Sequence, residues 1–190
     1  MILLIPLISL ASCHSPINMS YHESGLVASG KYDLISGIDL PEVTGVAGCG
    51  AQALAAVMAY MDETQDASLM AQELPWHEAG ATPIDVLLEA RGRGFQAKIF
   101  KGDFESLARL SQHEQPVLVM LDAGYEVRWF LSRYDMPKLM HWAVVSGVAR
   151  DGQSVLLAAK DGRHHKVERM DFERRWARSD HCLIEISPIP

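Results

Sequence analysis

Residues 48–62 read Gly-Cys-Gly-Ala-Gln-Ala-Leu-Ala-Ala-Val-Met-Ala-Tyr-Met-Asp, and the rest of the chain is best understood outward from them. Leu54, Val57, Met58 and Met61 recur at helical spacing and alanine is frequent, so the stretch predicts a buried helix that starts at Cys49. The first-turn amides of a helix have no carbonyl partner within it, and the helix dipole puts partial positive charge there. A thiol in such a place is set up to ionise and act as a nucleophile. The flanking Gly48 and Gly50 leave room for a substrate backbone to approach. The competing reading of Cys49 is a small buried hydrophobe, which cysteines outside disulfides often are.

Downstream, residues 67–73 predict a short helix. Thr82-Pro83-Ile84-Asp85 opens another, with a capping Thr, Pro in the first turn and an acid three residues on; Gly92 and Gly94 stop it. Residues 95–100 alternate as a strand does, and 103–112 form a helix with Phe104, Leu107 and Leu110 on one face. The apolar run 116–121 suits a central strand. Residues 141–149 and 154–159 read as paired strands, a strand begins near Val167, 171–178 is helical and 182–187 closes the sheet. Helices come first and strands mostly later, which fits an α+β fold. Residues 122–138 form a long mixed connection, read either as a border of a cleft or as a solvated crossover.

A thiolate nucleophile needs a proton shuttle, usually histidine. Of the eight histidines, His141 stands at the head of an apolar strand, where its ring can face a cleft on a rigid backbone; a capped strand-end histidine is the bland alternative. Arg150-Asp151-Gly152 fits a three-residue hairpin loop that pairs Ala149 with Gln153. Carried outward, that register sets His141 opposite Asp161, and directly opposed residues share a face with Cβ atoms about 5 Å apart. Asp161 would then orient the imidazole, the third role of a triad. Asp161-Gly162 also reads as an ordinary turn.

Composition narrows the function. The 190 residues are 48% hydrophobic and 22% charged, ordinary for a globular domain and too apolar for general disorder. The formal net charge of −7 argues against a nucleic-acid partner. Cys13, Cys49 and Cys182 are too few for a disulfide scaffold, although a Cys49–Cys182 bridge is open at this stage. There is no CxxC pair, phosphate loop or HExxH helix, and His164-His165 near Asp161 point to opposite faces of a strand, so neither a metal nor another cofactor is expected.

The N-terminal residues 1–12 have the length of a signal-peptide core and end on the small pair Ala11-Ser12, although no basic residue precedes them. Leu10-Ala11-Ser12-Cys13 resembles the lipobox of bacterial lipoproteins. That resemblance implies lipidation of Cys13, export and a membrane anchor, with His14 in place of the retention Asp favouring the outer membrane. The expected organisation is a signal peptide over 1–12, a tether and irregular segment over 13–39 and a domain over 40–190.

Taken together, Gly48-Cys49-Gly50 with Ala53, Leu54 and Ala55 resembles the opening of the bacteriocin-processing, double-glycine leader peptidases, family thirty-nine of the cysteine peptidases. His141-Trp142-Ala143-Val144-Val145-Ser146-Gly147 resembles their histidine strand, and Val155-Leu156-Leu157 followed by Asp161 resembles the strand and acid that complete their triad. The ending 172–178 is similar to that of exported bacterial members. The resemblance implies a papain-like fold, its catalytic helix packed on an antiparallel sheet. It implies a Cys49–His141–Asp161 triad that cleaves a peptide or protein substrate with small residues at the cleavage site. The family places an oxyanion-stabilising Gln five or six residues before the cysteine, where this chain has Thr44 and Val43, leaving Thr44 as a weak donor. That departure opens a second reading, a non-catalytic peptide-binding module on the same fold.

Overall fold

The computed structural model describes residues 20–42, 48–74, 76, 80–123 and 139–189. The elements are β1 (Ser20–His22), α1 (Glu23–Ser29), β2 (Tyr32–Leu34), α2 (Cys49–Met61), α3 (Ala67–Glu73), α4 (Pro83–Gly92), β3 (Phe95–Lys101), α5 (Phe104–Gln112), β4 (Val117–Asp122), β5 (Met140–Ala149), β6 (Ser154–Ala158), β7 (Arg163–Glu168), α6 (Arg169–Trp176), a 3₁₀ turn (Ala177–Ser179) and β8 (Cys182–Pro188). This is the expected α+β architecture. Among the described residues, no helix is long and apolar enough to cross a membrane.

The strands form one antiparallel sheet in the order β1-β7-β6-β5-β4-β8-β3. β2 pairs with the end of β5 on the edge away from β6, in line with β4. Helices cover both faces. On one, α2, α3 and α4 pack over Leu118, Trp142, Val144, Ile184 and Ile186. On the other, Phe104 and Leu107 of α5 and Phe172 and Trp176 of α6 pack over Val117, Val119, Val145 and Leu183. Two covered faces explain why β4 and β5 read as continuous apolar runs.

Helices α2, α3, α4 and α5 begin where the sequence places them, while α1 is not among the expected helices and α6 begins at Arg169, two residues before its expected start. Thr82 and Asp85 complete a capping box at α4, and the Asp103 carboxylate accepts from the Ser106 amide at α5. Hydrogen bonds from the Thr82 hydroxyl and amide hold the Asp85 carboxyl below the usual carboxylate range.

Three expectations are corrected. Residues from Ser20 onward are part of the domain, whereas 13–39 reads as tether and irregular structure: β1 and β2 join the sheet and Leu26, Ile35 and Ile38 are buried. Three-residue strands are too short to show a period of two. The strand expected near Val167 begins at Arg163. The hairpin after Ala149 is one residue longer than expected, pairing Val148 with Val155; a bulge at Ser146 then sets Val145 opposite Leu157. In addition, neither Cys49 nor Cys182 is in a disulfide. Cys182 heads β8, where burial pushes its thiol up. The expected signal segment, Cys13, Thr44 and most of the 122–138 connection lie outside the described residues.

Candidate active site

Cys49 is the first residue of α2, after Gly48 in an extended conformation. The Gly48 amide donates to the Trp76 carbonyl at 3.1 Å, tying the helix start to the segment beyond α3. Gly50 then brings α2 down onto its neighbours. A Cβ there would lie 2.9 Å from Ala81 Cβ and 3.0 Å from Trp142 Cδ1. The space next to the cysteine that the sequence offers to a substrate is therefore occupied by the indole of Trp142 and by Ala81. The indole is fixed in turn by its Nε1–H, which donates to the Ala81 carbonyl at 2.8 Å.

β5 brings the second chemical group. Trp142 and Val144 face α2, while Ala143 and Val145 face α5 and α6, so strand alternation sets His141 on the side away from α2. Met140 and His141 pair with Asp122 and Leu121 of β4. The other edge of β5 is where α2 arrives: the Trp142 amide donates to Cys49 Sγ at 3.4 Å. That nitrogen is bonded to the carbonyl carbon of His141, so the sulfur sits beside the histidine's own peptide unit. His141 is half-buried, and burial pushes its imidazole below the ordinary histidine range. The imidazole is thus a neutral base at neutral pH.

Asp161 is placed differently from the expectation. β6 ends at Ala158, and Ala159 to Arg163 form a tight hairpin in which the Arg163 amide donates to the Lys160 carbonyl at 3.2 Å. Asp161 and Gly162 have φ of +60° and +59°, the pair of left-handed residues of a type I′ turn. Asp161 is exposed there, and the paired stretch of β5 and β6 stops at Val145–Leu157, so the two residues are not cross-strand neighbours. The bulge returns the ladder to the expected register at Val145–Leu157, but the Asp-Gly turn ends it before His141 and Asp161 are reached. Gln52, just downstream of the cysteine, points away from the site toward the Pro41 carbonyl at 3.5 Å.

Trp142, quoted in the sequence only as part of the histidine strand, contributes a backbone donor to the sulfur and an indole that braces the start of α4. Its position directly after His141 was the available signal. Among the described residues there is no group of three or more His, Cys, Asp or Glu side chains fit to hold a metal ion. His164 is buried against Ser146, away from this site.

A cysteine at the head of a helix, laid against the histidine end of an antiparallel strand, is the arrangement of the papain-like cysteine peptidase fold, and solved structures bear out that fold for this chain. The peptidase domain of Streptococcus ComA, a bi-functional ABC transporter of a quorum-sensing pathway, superimposes with a TM-score of 0.58 at 17% identity, over 80% of this chain and 100% of that one. A double-glycine-motif protease from an AMS/PCAT transporter, solved with its leader peptide, gives 0.56 at 18% identity over 81% and 94%. A structure from Bacillus anthracis assigned as a C39-like peptidase gives 0.60 at 18% identity over 82% and 98%. The fold is therefore the α+β papain-like fold of C39 peptidase domains. No protein-family model matches the chain, and no curated protein matches it in sequence.

Proposed function

We propose that this chain is a cysteine peptidase in which Cys49 is the nucleophile and His141 the proton shuttle. The observation that carries the reading is the 3.4 Å contact between Cys49 Sγ and the Trp142 amide, which brings a helix-start thiol to the peptide unit of His141. In this reading the His141 ring turns around the open edge of β5, where the Trp142 amide meets the sulfur, to take the thiol proton, and the sulfur attacks the substrate carbonyl. The tetrahedral intermediate collapses to a thioester, and the leaving amine receives the proton from the imidazolium. Water then hydrolyses the thioester with His141 again as base. The Cys49 amide, in the first turn of α2, supplies one oxyanion donor, with Thr44 as a weak second. Asp161, on its turn, would contribute only at a distance. The substrate class is a peptide with small residues at the cleavage site, in keeping with the double-glycine motif named for one structural neighbour.

Two observations favour a second reading, a peptide-binding module without turnover. Residues 43 and 44 are Val and Thr, so an oxyanion Gln is missing, a loss of about 10²–10³ in rate. The acid of the expected triad also stands outside the sheet. Labelling with a thiol-reactive probe near neutral pH separates the two. Rapid labelling of Cys49 that falls at least tenfold in His141→Ala supports the peptidase; equal, slow labelling in both supports the binder. Thr44→Gln should raise turnover of a small-residue peptide panel by up to about 10². For localisation, the reading is an exported lipoprotein anchored through Cys13 on the periplasmic side of a membrane, the outer one favoured. Cys13→Ser should abolish membrane fractionation; a full-length wild-type chain in the soluble cytoplasmic fraction overturns it.

A further inference from the structure

A fully buried histidine joins two separate parts of the chain. His164 of β7 has no exposed side-chain surface. Its Nδ1 lies 2.7 Å from the hydroxyl of Ser146, the residue at the β5 bulge, which is also buried. Its Nε2 lies 3.5 Å from the carboxylate of Glu23, the first residue of α1. The same Glu23 oxygen accepts from the Gly37 amide at 3.0 Å, and the Asp39 carboxylate accepts from the Gly162 amide at 3.4 Å. The other groups facing His164 are Tyr21, its cross-strand partner on β1, and His165 beside it.

The two protonation states of His164 are met unequally here. In the neutral form the Ser146 hydroxyl donates to Nδ1, and Nε2–H faces the Glu23 carboxylate at 3.5 Å without a well-formed hydrogen bond. In the protonated form, Nδ1–H donates to Ser146, whose hydroxyl turns to the Leu156 carbonyl 3.3 Å away. The charge then sits on a ring with no exposed surface, 3.5 Å from a carboxylate that is itself partly in water, and the cost of burial outweighs that attraction. We propose that Ser146, His164 and Glu23 form a proton-operated latch that fastens the strap of residues 23–42 to the sheet while His164 is neutral and loosens when it is protonated. The strap reaches α2 at Pro41, whose carbonyl accepts from Gln52 Nε2 at 3.5 Å, so the latch acts on a segment that touches the helix of Cys49.

Burial pushes the His164 imidazole below its ordinary range, with Glu23 and Asp39 acting in the opposite sense, so the latch holds at neutral pH and releases on the acid side of about pH 6.5. Nuclear magnetic resonance on the whole chain tests it. The His164 ring signals should titrate below pH 6.5, and the Gly37 amide signal should follow the same step. In Glu23→Gln, a change at a partly exposed side chain, the His164 pKa should fall by about one unit or more as an opposite charge is lost. In His164→Gln the Gly37 step should vanish. If His164→Gln does not fold, Ser146→Ala replaces it, and should lower the pKa by removing the acceptor of the charged form. An unchanged His164 pKa in Glu23→Gln, or a Gly37 amide that ignores the His164 titration, overturns the latch.

Discussion

Asp161 shows how a single backbone conformation outweighs an attractive side-chain role. With φ at +60° it occupies the left-handed region, which costs most residues about 1–2 kcal/mol and which Asp and Gly tolerate best. Its place in the turn is thus explained without any role for the carboxylate. Asp161→Ala should destabilise the protein by about 1 kcal/mol in urea unfolding, while Asp161→Gly should be neutral or slightly stabilising. Both should keep peptide turnover within a few-fold of wild type. A hundredfold fall in Asp161→Gly with stability retained would return the aspartate to the catalytic machinery. His141 is the counterpart: its residue type was readable as a proton carrier, but the burial that keeps it neutral comes from the strands and helices around it.

At the level of elements, α2 sets helix propensity against packing. Alanine is favoured over glycine within a helix by about 1 kcal/mol, so Gly50→Ala looks stabilising from sequence. The methyl group would instead meet Ala81 Cβ at 2.9 Å and the Trp142 ring at 3.0 Å, and overpacking of this kind costs about 1–3 kcal/mol. We expect Gly50→Ala to lower stability by about 1–2 kcal/mol net and to slow Cys49 labelling, because the displaced strand carries both Trp142 and His141. Gly92, near the end of α4, has nothing within 4 Å of its added Cβ, and Gly92→Ala should stabilise by about 0.5–1 kcal/mol in the same assay. A destabilised Gly92→Ala or a stabilised Gly50→Ala would refute this account. The edge strand β3 is managed by α4 itself: the Arg91 guanidinium donates twice to the Ala97 carbonyl, at 3.2 and 2.8 Å, covering an acceptor that another chain could pair with.

Across the whole molecule, burial of titratable groups predicts a stability window. His141 and His164 have lowered pKa values in the fold, so below about pH 6.5 the unfolded chain binds more protons than the native one and stability falls with pH. Cys182 is raised by burial, so above about pH 8.5 the unfolded chain loses a proton that the native chain keeps, and stability falls again. Urea unfolding between pH 4.5 and 10 should show a plateau between these limits, and Cys182→Ala should flatten the alkaline side. An acid limb unchanged in His141→Gln would mean that this histidine is not the group lost. Peptide turnover should rise through a limb lying below pH 6.5, the signature of a base with a depressed pKa.

The helix at Cys49, the capped helices α4 and α5, the apolar strands and the histidine at the head of β5 were all legible in the chain, because each rests on local periodicity, capping chemistry or the hydrophobic pattern. The α+β class followed from their order. Local pattern did not reach the three-residue strands β1 and β2, the bulge at Ser146 or the end of β6 before Asp161. Those depend on which strands meet and where a ladder stops, and a single inserted residue shifts every later pair. The contact between Cys49 and Trp142, 93 residues apart, likewise exists only once α2 lies on the sheet. A sequence can name a thiol and an imidazole; bringing them to one place is the work of packing between distant segments, which no local propensity encodes.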